Sequence, residues 1–161
     1  MQIVLYWLIM IKSTKNKIAT LLSLYAADLL SSPLLLREQN FIQHGNSSVY
    51  AHSVAVAIMS LWIVRKLHMH VNEKAMARGA LLHDYFLYDW HKKDKSHRWH
   101  GFRHARNARI NAERDFQISK LEGHIIERHM FPLNIKPPCK KEGVIVCIAD
   151  KICALKEFFQ K

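Results

Sequence analysis

Between residues 46 and 68, apolar side chains fall on nearly every face of a helical repeat: Val49, Val54, Val56, Met59, Ile63, Val64 and Leu67. A helix apolar on most sides cannot lie on a surface, so the stretch predicts a central helix with others packed around it. Asn46 and Ser47, just after Gly45, can cap its start. The flanking patterns agree. Ile18, Leu21, Leu22, Tyr25 and Leu29 recur at helical spacing and stop at Ser31-Ser32-Pro33. Asn72 can cap a helix over 73–82 that packs through Ala75, Ala77 and Ala80. Further helices are expected at about 103–114, 119–129 and 140–159, with Pro132, Pro137 and Pro138 breaking the last connection. No alternating strand pattern, internal repeat or low-complexity tract is present. A chain of 161 residues suits one domain, so the expected fold is an all-α, single-domain helical bundle.

Residues 3–11 form an apolar run of nine. That is short of the roughly 20 residues a spanning helix needs, and no positive segment precedes it as in a secretory signal. The run is expected to be a short helix or strand packed on the domain. Met10 offers an alternative start, which would leave the first nine residues untranslated. The organisation expected is an N-terminal helical segment over 1–43 and a core over 44–161.

Half the residues are apolar and 23% are charged, which excludes a disordered chain. Lys+Arg 24 against Asp+Glu 13 gives +11, pointing to anionic partners such as phosphates, nucleic acid or a membrane surface. No helix-turn-helix or RNA-recognition signature accompanies the charge, so nucleic acid is not the expected partner; nor is a membrane. Cys139, Cys147 and Cys153 include no Cys-x-x-Cys pair, which argues against a disulfide scaffold or a thiolate zinc site. They are expected to pack helices in a reducing cytoplasm.

Eleven histidines are more than composition explains. His83-Asp84 closes an apolar helix directly after Ala80, Leu81 and Leu82. His52 shares a face with Val56, Met59 and Ile63 in the most apolar helix. Asp150 sits among Val146, Cys147, Ile148 and Ala149. Each alone has an ordinary explanation, a hydrogen-bonded core histidine or a salt-bridged aspartate. Together they set four metal-type donors where an unpaired buried charge would cost several kcal/mol, about what a bound cation would offset.

His52, His83-Asp84 and Asp150 resemble the H…HD…D signature of the HD superfamily of metal-dependent phosphohydrolases, over about residues 44–157. The resemblance implies an all-α bundle in which these four side chains bind a divalent metal. His104 opens a helix lined by Ala105, Ala108 and Ala112, and His129 continues the stripe of Ile118, Leu121 and Ile125; His124 lies off it. Histidines at these places resemble the extra pair of the two-metal branches, which include cyclic-di-GMP phosphodiesterases and small diadenosine tetraphosphate hydrolases. The former carry a GYP tripeptide that is missing here. The segments LYDWH (87–91), HGFRH (100–104) and HMFPL (129–133) are closer to a group of small bacterial HD hydrolases, where a proline often stands at the position of Ala105.

By that resemblance His52, His83, Asp84, His104, His129 and Asp150 hold two divalent ions, Asp84 bridging them as the catalytic residue. Nitrogen and oxygen donors suit Fe or Mn, with Zn, Ni and Co also allowed. The implied reaction is hydrolysis of a phosphoester or phosphoanhydride in a small phosphorylated molecule, such as a nucleotide, by a hydroxide shared between the ions.

Residues 85–101 read as a long loop, and 91–114 carry eight Lys/Arg against two acids. Arg103, Lys92 and Lys93 are candidate phosphate-binding residues, against the plainer reading of a solvated basic face. Tyr85, Tyr88 and Trp90 could stack on a base but are expected to pack the loop. His91, His97 and His100 are the candidate general acids, and Lys151 carries little weight. Two competing readings follow from the same resemblance: a mixed-valent di-iron oxygenase, and a non-catalytic nucleotide-sensing module with structural metals.

Overall fold

A computed structural model of the chain describes residues 2–44, 47–90 and 100–159, and of residues 2–15, 44 and 100 the backbone alone. Helix α1 (Gln2–Leu30) bends at Ala26, whose φ of −138° and ψ of 31° leave the helical region. Ser32 caps the short α2 (Pro33–Leu36), which runs into a 3-10 turn (Arg37–Asn40). Strands β1 (Ile42–His44) and β2 (Ser47–Ser48) then pair antiparallel, Ile42 opposite Ser48. Among the described residues, five helices follow: α3 (Val49–Lys66), α4 (Glu73–Leu82), α5 (His100–Asp115), α6 (Lys120–Arg128) and α7 (Lys141–Phe159). The architecture is all-α, as expected. The hairpin escaped the sequence reading because strands of three and two residues are too short for an alternating pattern to show.

The caps are set by side-chain oxygens. The Ser48 hydroxyl accepts from the Ala51 N–H and starts α3; Ser47 is taken up by β2, and Asn46 lies outside the described residues. Asn72 caps α4 as expected, accepting from the Ala75 N–H at 3.0 Å. Ser119 and Glu122 cap α6 reciprocally. Helix α5 begins at His100, a turn earlier than the spacing predicts.

Helix α3 lies at the centre, packed against α1, α4 and α7; α4 also meets α6, and α5 lies on α6. Val56, Leu61 and Val64 of α3 share one core with Met76 and Leu81, Ile125 and Ile126, and Val146 and Ala149. Ile18, Leu22 and Leu29 of α1, with Leu35 of α2, join it. The run 3–11 is helical in backbone and part of α1. Arg78 ties three helices together, donating to Asp28 of α1 and to Glu122 of α6. Among the described residues, no single helix is long and apolar enough to cross a membrane. The segments Asn16–Leu30 and Pro33–Asn40 are apolar enough as a pair, but they meet at 94°, and Ile18, Leu22, Leu29 and Leu35 are buried in the core while Leu24, Leu34 and Leu36 are exposed.

Gly79 allows α4 and α6 to approach. A Cβ there would stand 2.9 Å from Cγ2 and 3.0 Å from Cβ of Ile125, atoms fixed to the α6 backbone. Gly79→Ala should gain about 0.5–1 kcal/mol of helix propensity but meet an overpacking cost of about 1–3 kcal/mol. The expected net is a melting temperature lower by several degrees, read by thermal denaturation; a rise would show that α6 shifts freely.

Candidate metal centre

Five helices deliver donors to one buried point. His52 comes from the first turn of α3 and Asp150 from the middle of α7. His83 and Asp84 follow the last residue of α4, His104 lies in the second turn of α5, and His129 follows the end of α6. All six are at most 8% exposed. The two histidines that end helices are oriented by those helices. His83 Nδ1 donates to the Ala80 carbonyl at 2.7 Å and His129 Nδ1 to the Ile126 carbonyl at 2.8 Å, each three residues back. A carbonyl can only accept, so Nδ1 carries the proton and Nε2 of the neutral ring is left as a lone pair facing inward. On His52, Nδ1 lies 3.0 Å from Glu157 Oε2, and a proton there again leaves Nε2 for the centre.

The four Nε2 atoms surround Asp84 and divide its oxygens between them. Oδ2 lies 3.2 Å from His83 Nε2 and 4.0 Å from His52 Nε2, while Oδ1 lies 3.3 Å from His104 Nε2 and 3.5 Å from His129 Nε2. Asp150 Oδ1 completes the first side, 3.1 Å from His52 and 3.7 Å from His83. Three overlapping groups result: His52–His83–Asp84, His83–His129–Asp150 and Asp84–His104–His129. In each, the candidate ligand atoms lie within 4.8 Å of one another.

A divalent ion fits this donor set. Asp84 Oδ1 and His83 Nε2 are buried without a hydrogen-bond partner, and His104 Nε2 faces His129 Nε2 at 3.1 Å. Lone pairs so close repel unless a proton or a cation lies between them. In the absence of a cation, protons must serve. Burial opposes charge on His52, but hydrogen bonds to Asp150 and Glu157 overcome it and raise the ring to about 9. His83 is likewise held well above the imidazole range, the Asp84 charge outweighing burial. Burial works against ionised Asp84 and Asp150, yet the histidines around them hold both carboxyls below the usual range. His129 goes the other way: burial, then the charge on His83, lowers it to about 3.

The structure thus brings together all six residues expected to meet. Lys92, Lys93, His91 and His97 lie outside the described residues, and of His100 only the backbone is described. Arg103 is exposed on α5, one residue before His104. Arg109 and Arg114 of the basic stretch are engaged by Glu113, Glu127 and Asp115, so they form structural ion pairs rather than a phosphate clamp. Tyr85 is buried and donates to Asp115 and Leu34, a packing role as expected. Lys151 donates to the carbonyls of His129 and Cys147 and so ties the end of α6 to α7. Cys147 and Cys153 are buried in α7, whereas Cys139 is exposed outside any helix, beside His124. Three polar residues at the site carried no sequence signal that was read. Glu157 shares a face of α7 with Asp150, and that spacing of seven is the signal that marks it. Gln43 and Glu38 sit in a three-residue strand and a single turn, where no periodicity marks a buried side.

Residues 49–155, more than half of the chain, match the family model described as HD domain. No curated protein and no solved structure matches the chain.

The opposed shifts on His52 and His129 predict how the metal-free protein responds to pH. His52 holds a proton that the unfolded chain releases near 6.5, so its contribution is complete below 6.5 and is lost as pH rises through about 9. His129 refuses one the unfolded chain accepts, so its contribution is complete above 6.5 and is lost as pH falls toward about 3. Melting temperatures measured in chelator should peak near neutrality. His52→Gln should flatten the alkaline limb and His129→Gln the acid limb; limbs unchanged in both variants would refute the assignment.

Proposed function

The chain belongs to the HD domain family, and from that premise we propose that it is a two-metal phosphohydrolase acting on a small phosphorylated molecule, with a nucleotide the favoured class. The HD domain points to metal-dependent hydrolase-type chemistry, and the His/Asp groups could hold metal ions. The observation that carries the finer reading is the division of Asp84, with one oxygen among His52 and His83 and the other among His104 and His129. A carboxylate placed between two sets of imidazoles suits a bridge between two ions. The donor set, all nitrogen and oxygen, favours Fe or Mn.

Bound ions would supply positive charge that attracts phosphate and Lewis acidity that activates water. The chain's own residues do the rest. His52 is held by Glu157, and His83 and His129 by the carbonyls behind them, so the rings cannot turn as substrate arrives. Arg103, with Lys92 and Lys93, is proposed to receive the substrate phosphate, consistent with the +11 charge of the chain. The three free cysteines fit a reducing cytoplasm.

Protein purified without chelator and supplied with Mn or Fe should release phosphate from members of a panel of nucleotides and phosphoesters, and chelation should abolish release. Asp84→Asn should lower kcat by roughly a thousandfold while leaving the melting transition cooperative, a size typical of losing transition-state charge stabilisation. Arg103→Ala should raise KM by about tenfold, the value of one charge-assisted contact. Oxygen consumption without phosphate release would move the assignment to an oxygenase. Tight nucleotide binding without turnover would move it to a sensor.

A further inference from the structure

We propose that Gln43, on the short strand ahead of the matched domain, is a positioning residue that fixes the plane of the Asp84 carboxylate so that each oxygen can serve its own metal ion. The inference rests on the two-metal reading of the site. Gln43 Nε2 donates to Asp84 Oδ2 at 2.6 Å across 41 residues of sequence, and the side chain is 7% exposed. Rotation about the last torsion of an aspartate is broad and soft, and Oδ1 receives no hydrogen bond that could restrain it. The bond from Gln43 therefore sets which way Oδ1 points, toward His104 and His129. The orientation of the amide is itself determined, since the reverse would set its oxygen against a carboxylate.

The surroundings show that Gln43 is not held there by packing alone. Its Oε1 is buried without a partner, and so are both oxygens of Glu38 on the adjacent 3-10 turn. Glu38 is wholly buried, close enough to His83 and Asp84 to feel their charge, and burial raises its carboxyl well above the usual range. Unmet polar atoms of this kind cost about 1–3 kcal/mol each, which an apolar residue at position 43 would avoid. The hairpin gives the strand a fixed place, pairing β1 with β2 and setting it against α7, which carries Asp150. Partners that hydrogen-bond a metal-ligating carboxylate typically account for about 10–100-fold in metal affinity.

The test is titration of Mn(II) into the full chain, followed by isothermal calorimetry and electron paramagnetic resonance. Wild type should take up two ions and give an exchange-coupled spectrum. Gln43→Met, near-isosteric but without the N–H, should fold cooperatively, bind one ion as before and bind the second about 10–100-fold more weakly, leaving the spectrum of an isolated ion. Gln43→Asn keeps the amide but falls one methylene short, and should lose the coupling as well. Two coupled ions at wild-type affinity in Gln43→Met overturn the proposal and leave the two-metal reading standing. Coupling kept in Gln43→Asn but lost in Gln43→Met also overturns it, since reach would then not matter. A wild type that binds one ion or none overturns both readings.

Discussion

A carboxylate removed from water needs positive charge beside it, and this requirement at Asp84 governs the arrangement of the whole bundle. Asp84 is 2% exposed and surrounded by four imidazole nitrogens at 3.2–4.0 Å. Neutral imidazoles presenting lone pairs do not solvate an anion; they add to its need for a cation. The centre is therefore consistent only when protons or metal ions occupy the spaces between donors. Isolated buried charges are strongly unfavourable, so the helices that carry these residues must meet at one point or leave the charges exposed.

The helices also decide which atoms face inward. A histidine just past a helix end can donate Nδ1–H to the carbonyl three residues back, as His83 and His129 both do. This satisfies carbonyls that helix termini leave open and settles the tautomer. His52 lies mid-core with no open carbonyl behind it, and Glu157, two turns beyond Asp150 on α7, takes that part instead. Two different local solutions yield the same result for three of the rings, whose Nε2 atoms are directed at the buried carboxylates.

Much of this was legible in the sequence, and the limits are physical. The central helix declared itself because apolar residues on all faces have no surface solution. The six donors stood out because polar groups inside apolar helices are costly and rare, and their order along the chain gave the resemblance. Helix ends were read to within a few residues where a side-chain cap was present, at Asn72 and Ser119. The start of α5 was missed, since no capping residue marks it before Arg103. Gln43 and Glu38 were missed for a related reason. Their burial is imposed by the helices that close over them, and a short strand or single turn leaves no periodic trace of an inward face. The basic stretch misled in part, because charge counts do not show that Arg109 and Arg114 are neutralised by acids at the ends of α5 and on α6.

The candidate donors come from five separate helices, so a metal ion held by them would tie the lifetime of the fold to ion supply. In the unfolded chain the six groups are scattered over about a hundred residues and bind an ion weakly; only the native state presents them together. An ion selective for the native state stabilises it by about 2.7 kcal/mol at a hundred times its dissociation constant. For a domain whose whole margin is about 5–15 kcal/mol, scarcity of metal would thin the folded population as well as silence the site, and proteolysis would then remove what starvation had loosened.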